Sequence, residues 1–437
     1  MKHPRFYWLI TCLFSVLISC QRARVPFVPQ GTGVRLEAGE VLVTEAWFKL
    51  EILLSKKDLQ VKFFRKDSLL WQKPAAELDT LVYDSGLLPA HSYRYHAELW
   101  QKNERVDKSA PLTITTLDTT SHDFEWEVST FYSRYGSARM NDVAIVNEND
   151  IWVVGAIYSD TAQPWLPYNA VHWNGEKWEL KRIAYWYNGQ PFYHPLSFAF
   201  SFAGKKVWFG GNGIVEWTGQ QFRNVEVPIS AWANVAINKL WGSSLSSVYI
   251  AGNAGHIAHY DGSRWQRIES GTELPFQDIW GSKNMHTGEV EVLAVASDLF
   301  HGGGIRLVRL QGGQAQALPD SGLPLWLRSL WFEAGRVYYV VGDGIYRSLA
   351  TPDNWKRITG LPPIAKDIIR GQGANDIFIA GSFGLLMHYN GITWHDYRQK
   401  VAAVSTRYWS LDYKGDVVVA VAAGGGPFGY VVVGRRK

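Results

Sequence analysis

Three histidines recur in matching places along the chain. His172, His259 and His388 each follow an apolar residue and precede Trp or Tyr, as Val-His-Trp, Ala-His-Tyr and Met-His-Tyr. Repeated imidazoles suggest metal binding, which requires them to converge on one ion. In repeats that close into a ring, equivalent positions are spread around it, so no metal is expected. Carboxylates are the second candidate. Asp298, Asp320 and Asp343 fall in turn-rich segments that could face a ring mouth, and paired carboxylates are what glycosidic cleavage needs. No spacing marks them as a pair, and exposed loop Asp is the ordinary case. No nucleophile elbow, HExxH, P-loop or cysteine pair occurs. A glycoside hydrolase or lyase is therefore the alternative expectation, with no catalytic residue, metal or cofactor assigned.

Non-catalytic binding is the main expectation, and aromatic loops carry it. AIYSDTAQPWLPYNA (156–170) and IAYWYNGQPFYHPLSF (183–198) are the long connections of a chain whose other turns are short and Gly-rich. They supply Tyr158, Trp165, Tyr168, Trp186, Tyr187 and Tyr193, with Phe192 and His194 beside them. Trp232, His301 and Trp326 lie in loops expected on the same face. Flat amphipathic rings give large contact area at low entropy cost, and they also stack on sugars. A protein or glycan partner is expected. No Lys/Arg run of the nucleic-acid-binding kind appears beyond the short Arg435-Arg436-Lys437 end, and the net charge is +4. The competing expectation is a purely structural scaffold whose rings pack on one another.

The first twenty residues, MKHPRFYWLITCLFSVLISC, join a basic start (Lys2, Arg5) to an apolar run from Phe6 to Ile18. The run is short for a membrane span and fits a signal peptide. Its end, Leu17-Ile18-Ser19-Cys20, resembles the lipobox of bacterial lipoproteins. That resemblance implies removal of residues 1–19, lipidation of Cys20 and a tether over 20–29. Cys12 would leave with the signal, so the mature chain would have no disulfide. Each buried acyl CH₂ adds about 0.8 kcal/mol of membrane affinity. The expectation is a monomeric outer-membrane lipoprotein of the bacterial cell envelope. Gln21 rather than an acidic residue follows the cysteine, which favours the periplasmic side over the surface.

The elements that must hold these residues are strands. With 21 Trp, 21 Tyr, 20 Phe and 41 Gly in 437 residues, the composition points to an all-β protein. Residues 30–118 alternate apolar and polar side chains in short runs. Within them GLLPAHSYRYHAEL (86–99) resembles the G-L-x-P-x-x-x-Y segment of fibronectin type III domains. The resemblance implies a small immunoglobulin-like β-sandwich, whose simplest role is a spacer. Further on, AGNAGHIAHYDGSRWQRI (251–268) returns as AGSFGLLMHYNGITWHDY (380–397). The copies stand three periods of roughly 43 residues apart, a propeller spacing. Weaker copies predict a seven-bladed β-propeller over 123–437. Its last copy stops after three strands, and 123–131 (DFEWEVSTF) is expected to supply the fourth and close the ring.

The units resemble kelch-like and Asp-box-like repeats at Asn174-Gly175, Asp261-Gly262 and Asn390-Gly391. Each pair is read as a two-residue hairpin turn with positive φ at both positions. Trp241, Trp280, Trp331 and Trp409 on first strands, and Trp126, Trp178, Trp265, Trp355 and Trp394 on fourth strands, are read as packing between blades.

Overall fold

The computed structural model describes residues 33–54, 57–202, 206–233, 235–284, 287–299, 304–402 and 404–437. The signal segment, Cys20 and His301 lie outside the described residues. The chain divides into two units. The smaller takes in Gly33 to Val41 and Glu45–Thr116, and the larger Leu42–Thr44 and Leu117–Lys437. The short Leu42–Thr44 link, expected in the first domain, thus belongs to the larger unit.

In the small unit Val34–Val41, Glu45–Ile52 and Leu81–Ser85 form one antiparallel sheet. Gln60–Arg65, Ser68–Pro74, Ser92–Gln101, Glu104–Lys108 and Leu112–Thr115 form the other. Alternate residues of both sheets meet in one core around Leu36, Phe48, Phe63, Tyr95 and Leu99. The Leu88 amide donates to the Tyr93 hydroxyl at 2.8 Å, which pins the turn before Ser92–Gln101.

The large unit is built from four-stranded antiparallel sheets, and seven are present among its described residues. Each is a meander: first strand, second, third, fourth. The second strands are buried along their length, as at Val337–Gly342, Asp376–Gly381 and Val417–Ala423. Continuous apolar runs of that length fit strands covered on both faces. Fourth strands such as Trp265–Glu269 are half-exposed. The first strands pack in sequence, each against the next, and the first strand of the last sheet packs against that of the first. The last sheet takes its fourth strand from the other end of the unit. Phe124–Tyr132 pairs antiparallel with Phe428–Arg436, Trp126 opposite Gly434.

Six of the first strands share one irregularity. Register shifts single out Asn141, Asn238, Gln277, Arg328, Asp367 and Trp409 as extra residues, each near the start of its strand. Such a bulge leaves its residue outside the ladder and re-aims its side chain. Opposite the bulges lie Gly155, Gly252, Gly342 and Gly381. A Cβ there would come within 1.9 to 2.4 Å of the carbonyl oxygens of Arg139, Ala236, Trp326 and Ala365. At these four positions, the recurring Ala-Gly at 251–252 and 380–381 among them, the bulge excludes a side chain, whereas in the fourth and seventh sheets Ala296 and Ala422 take the corresponding place.

Two turn and packing expectations are corrected. Asn174, Asp261 and Asn390 do not have positive φ; only the following glycines do, at 95°, 93° and 97°. The turns are four residues long. The Asp261 carboxylate accepts the amides of Ser263 and Arg264 at 2.9 Å, and Asn174 and Asn390 repeat the pattern. The side chain organises the turn, which removes the need for a left-handed Asx. Trp409 does not pack between sheets as Trp241 and Trp331 do. It occupies the bulge position and is 43% exposed.

Candidate functional site

The three recurring histidines serve the sheets. His172, His259 and His388 stack on the second-strand rings of Trp152, Tyr249 and Phe378, with centroids 3.9, 4.1 and 4.5 Å apart. His172 and His388 also bond the carboxylates of Asp150 and Asp376. Burial lowers the pKa of His259 and His388, which favours the neutral form of those two rings. No cluster suited to a metal ion occurs among the described residues.

A meander places its loops alternately on two rims. The connections from second to third strands share one rim with those from fourth strands to the next sheet. Both long aromatic loops emerge there, in the first sheet and after it, and they are stitched together. The Asn169 side chain donates to the carbonyls of Ile183 and His194 at 2.9 Å and accepts the Ile183 amide at 2.7 Å. Arg182 pairs with Asp160 at 2.8 Å, bonds the Leu166 carbonyl and lies 4.4 Å over the Tyr168 ring. The second loop forms a hairpin, Tyr185–Tyr187 against Gln190–Phe192. Asn224 clamps it by a reciprocal pair of bonds to the Trp186 backbone. The Tyr185 ring packs against Gly213, where a Cβ would sit 2.7 Å from it.

This architecture holds some rings outward. Trp165 is 74% exposed, Tyr187 60% and Trp186 51%. Tyr158, Tyr168, Tyr193 and Trp326 are half-buried. Trp232 departs from the expectation that it shares the open face. It is buried among Phe198, Trp208 and Ile237, and its indole N–H closes on the Val235 carbonyl at 2.8 Å. Beneath the hairpin a cavity of about 170 Å³ is lined by Tyr185, Tyr187, Phe192, His194, Leu196 and Val215 among others.

The same rim carries exposed apolar residues that the sequence reading missed. Tyr132 and Phe428 pair at 5.5 Å on the last sheet, and Tyr135 and Trp409 are exposed as well. Ile229, Leu325 and Phe383 are exposed in loops elsewhere around it. On the opposite rim the exposed large apolar side chains among the described residues are Val290 and Ile392. The exposed large apolar side chains of the large unit are thus concentrated on one rim.

Inside the ring of first strands lies a polar cavity of about 230 Å³. Asp278 and Arg370 form a bidentate pair at 2.8 and 3.0 Å, with Ser329 also on the carboxylate. Asp142 takes Lys239 at 2.8 Å and the Ser410 hydroxyl. Asp412 accepts the amides of Ile145 and Tyr413, and burial raises its pKa. Asp320 and Asp343, considered from sequence, lie in loops, and Asp343 bonds the Tyr346 hydroxyl at 2.8 Å.

No family model matches this chain, and no curated protein does. Solved structures do. YCF48 bound to D1 peptide is similar at a TM-score of 0.53 and 16% identity, over 73% of this chain and 100% of that one. YCF48 from Cyanidioschyzon merolae gives 0.49 and 12%, over 71% and 98%. The Dos1 propeller gives 0.45 and 12%, over 71% and 95%. At these identities the likeness concerns the fold alone: the large unit is a β-propeller.

Proposed function

We infer that this protein is a lipid-anchored envelope protein whose seven sheets are the blades of one propeller, and that the propeller docks a partner protein on its aromatic rim. The observation that carries the reading is the asymmetry between the rims. Trp165, Trp186 and Tyr187 are exposed on loops fixed by Asn169, Arg182 and Asn224. Rigid aromatic anchors lose little entropy on binding, which is what hot spots require. A neighbour of the same fold has been captured with a peptide, which supports a protein partner over a glycan. The small unit fits a fibronectin type III-like spacer, and the Leu88–Tyr93 bond supports that comparison because a tyrosine corner makes the same kind of link. Cys20 would place the assembly at the membrane.

Peptide and glycan arrays probed with the soluble chain from residue 26 test the docking. The expected result is peptide binding that the double variant Trp165→Ala, Trp186→Ala removes while its circular dichroism stays unchanged. Binding that survives the double variant would move the site elsewhere. Cys20→Ser tests the anchor: acyl labelling and membrane partitioning should both disappear.

A further inference from the structure

The bulge positions hold a second, different feature. In the first, third and fourth sheets the extra residue is an amide that closes onto the protein. Asn141 donates to the Leu196 carbonyl at 2.7 Å, Asn238 to that of Phe276 at 2.9 Å, and Gln277 to that of Ser297 at 2.9 Å. The bulge therefore needs only a short neutral donor. In the seventh sheet the Trp409 indole N–H closes in the same way onto the Ala423 carbonyl at 2.9 Å, whereas in the fifth and sixth sheets the position carries Arg328 and Asp367. Arg407 joins them from the loop just before Trp409. Its guanidinium pairs with Asp367 and lies 4.6 Å over the Trp409 ring. Arg328 approaches the same Asp367 oxygen at 3.5 Å.

Two guanidiniums thus share one carboxylate, leaving a net charge of +1. The Arg407 Nε–H is buried without a hydrogen-bond partner, and the Arg328 Nε–H makes no hydrogen bond, only its 3.5 Å approach to Asp367. Burial and the Arg407 charge pull the pKa of Arg328 down to about 10, as expected for a cation short of counter-charge. A buried unpaired donor is costly, and nothing in the bulge geometry requires it.

We propose that Arg328 and Arg407, at the loop-bearing mouth of the ring with Trp409 beside them, form a carboxylate-binding site. The residual single charge fits one carboxylate, whose planar oxygens match guanidinium forks. Trp409, 43% exposed, would cover the group that carries it. The carboxylate comes either from an acidic side chain of a docked protein or from a free carboxylic acid. The first source rests on the docking proposed above; the second does not.

Calorimetry on the intact soluble chain separates these. The probes are a capped peptide containing Glu and Tyr, the same peptide with Gln for Glu, and succinate. The expected result is that the Glu peptide binds at least tenfold more tightly than its Gln counterpart. Arg407→Gln should abolish that preference and Arg407→Lys should retain part of it. Raising salt should weaken the Glu peptide selectively. Displacement of the peptide by millimolar succinate identifies a free carboxylate as sufficient; failure to displace it identifies a peptide-borne one. Equal binding of the two peptides, an unchanged preference in Arg407→Gln, or no binding by either the Glu peptide or succinate overturns the site. The Trp165→Ala, Trp186→Ala variant keeps the two proposals apart, because it should leave succinate binding intact.

Discussion

The imidazoles of His122 and His388 meet Nδ1 to Nδ1 at 2.8 Å. The contact joins the segment leading into the closing strand to the third strand of the sixth sheet. Its partners fix the tautomers. His388 Nε2 faces Asp376 at 2.8 Å, so it carries the proton and leaves Nδ1 bare. His122 then donates through Nδ1 and accepts the Thr393 hydroxyl at Nε2, 3.0 Å away. Asp376 is held in turn by Arg436 and the Tyr413 hydroxyl. Both ends of the large unit thus converge on one hydrogen-bonded chain.

That chain works only with neutral rings, which predicts acid lability. Burial, with the neighbouring His388, His395 and Arg436, lowers His122 to about 4, and burial lowers His388 as well. Unfolded histidine titrates near 6.5. The unfolded chain therefore binds more protons between those values, and stability falls as pH drops through that window. The stabilisation is complete above about pH 6.5. Denaturant midpoints measured from pH 7.5 to 4 should decline, and His122→Gln should flatten the decline. A flat profile in the parent protein would remove the explanation.

Closure of the ring makes a second prediction. Phe124 is buried against Phe378, Tyr397 and the Arg436 guanidinium. Phe124→Ala should cost about 3–4 kcal/mol in urea unfolding, the usual range for a buried Phe. Val128→Ala, at the partly buried middle of the same strand, should cost less. Equal small effects would mean that the strand contributes little to holding the unit closed.

Much of this was legible in the chain because repetition amplifies it. Ala-Gly followed by His-Tyr-Asx-Gly and Trp recurs since each element answers the same steric demand: Gly opposite the bulge, His on the second-strand ring, Asx in the turn. The pairing of Phe124–Tyr132 could be read from a missing fourth strand. The bulges were not legible. A bulge adds one residue without an apolar signature, so Trp409 was aligned with Trp241 when it matches Asn238. Trp232 and Trp165 look alike in sequence, and only the fold of their loops sends one inward. The Asp278–Arg370 pair was not legible either, because the two residues lie far apart in the chain and no local spacing links them.

The Asp278–Arg370 pair gives a third prediction. Asp278 is 1% exposed and Arg370 is buried beside it, with the guanidinium 4.9 Å from the Trp280 ring centre. Removing one partner strands a buried charge. Arg370→Met should therefore cost about 3–5 kcal/mol, whereas Arg370→Met with Asp278→Asn should recover part of the loss. Chemical denaturation of the four proteins of the cycle measures the coupling. A double variant as unstable as Arg370→Met would show that packing, not charge, dominates.

The last prediction sets two tryptophans against each other. Trp232 is 5% exposed and fills the core between the second and third sheets, where its ring edge would lie 2.8 Å from a Cβ on Gly252. Trp165 is 74% exposed on a loop that Arg182 and Asp160 already hold. Trp232→Ala leaves a cavity and should cost about 3–5 kcal/mol. Trp165→Ala removes little packing and should stay within about 0.5 kcal/mol of the parent. Partner binding should reverse the order. Trp165→Ala should weaken it at least tenfold, because an exposed ring on a fixed loop has its full area available to a partner. Trp232→Ala, assayed well below its melting temperature, should bind nearly as the parent does. If both variants unfold alike, the loop is part of the core, and the exposed ring of Trp165 is not an anchor for anything outside the protein.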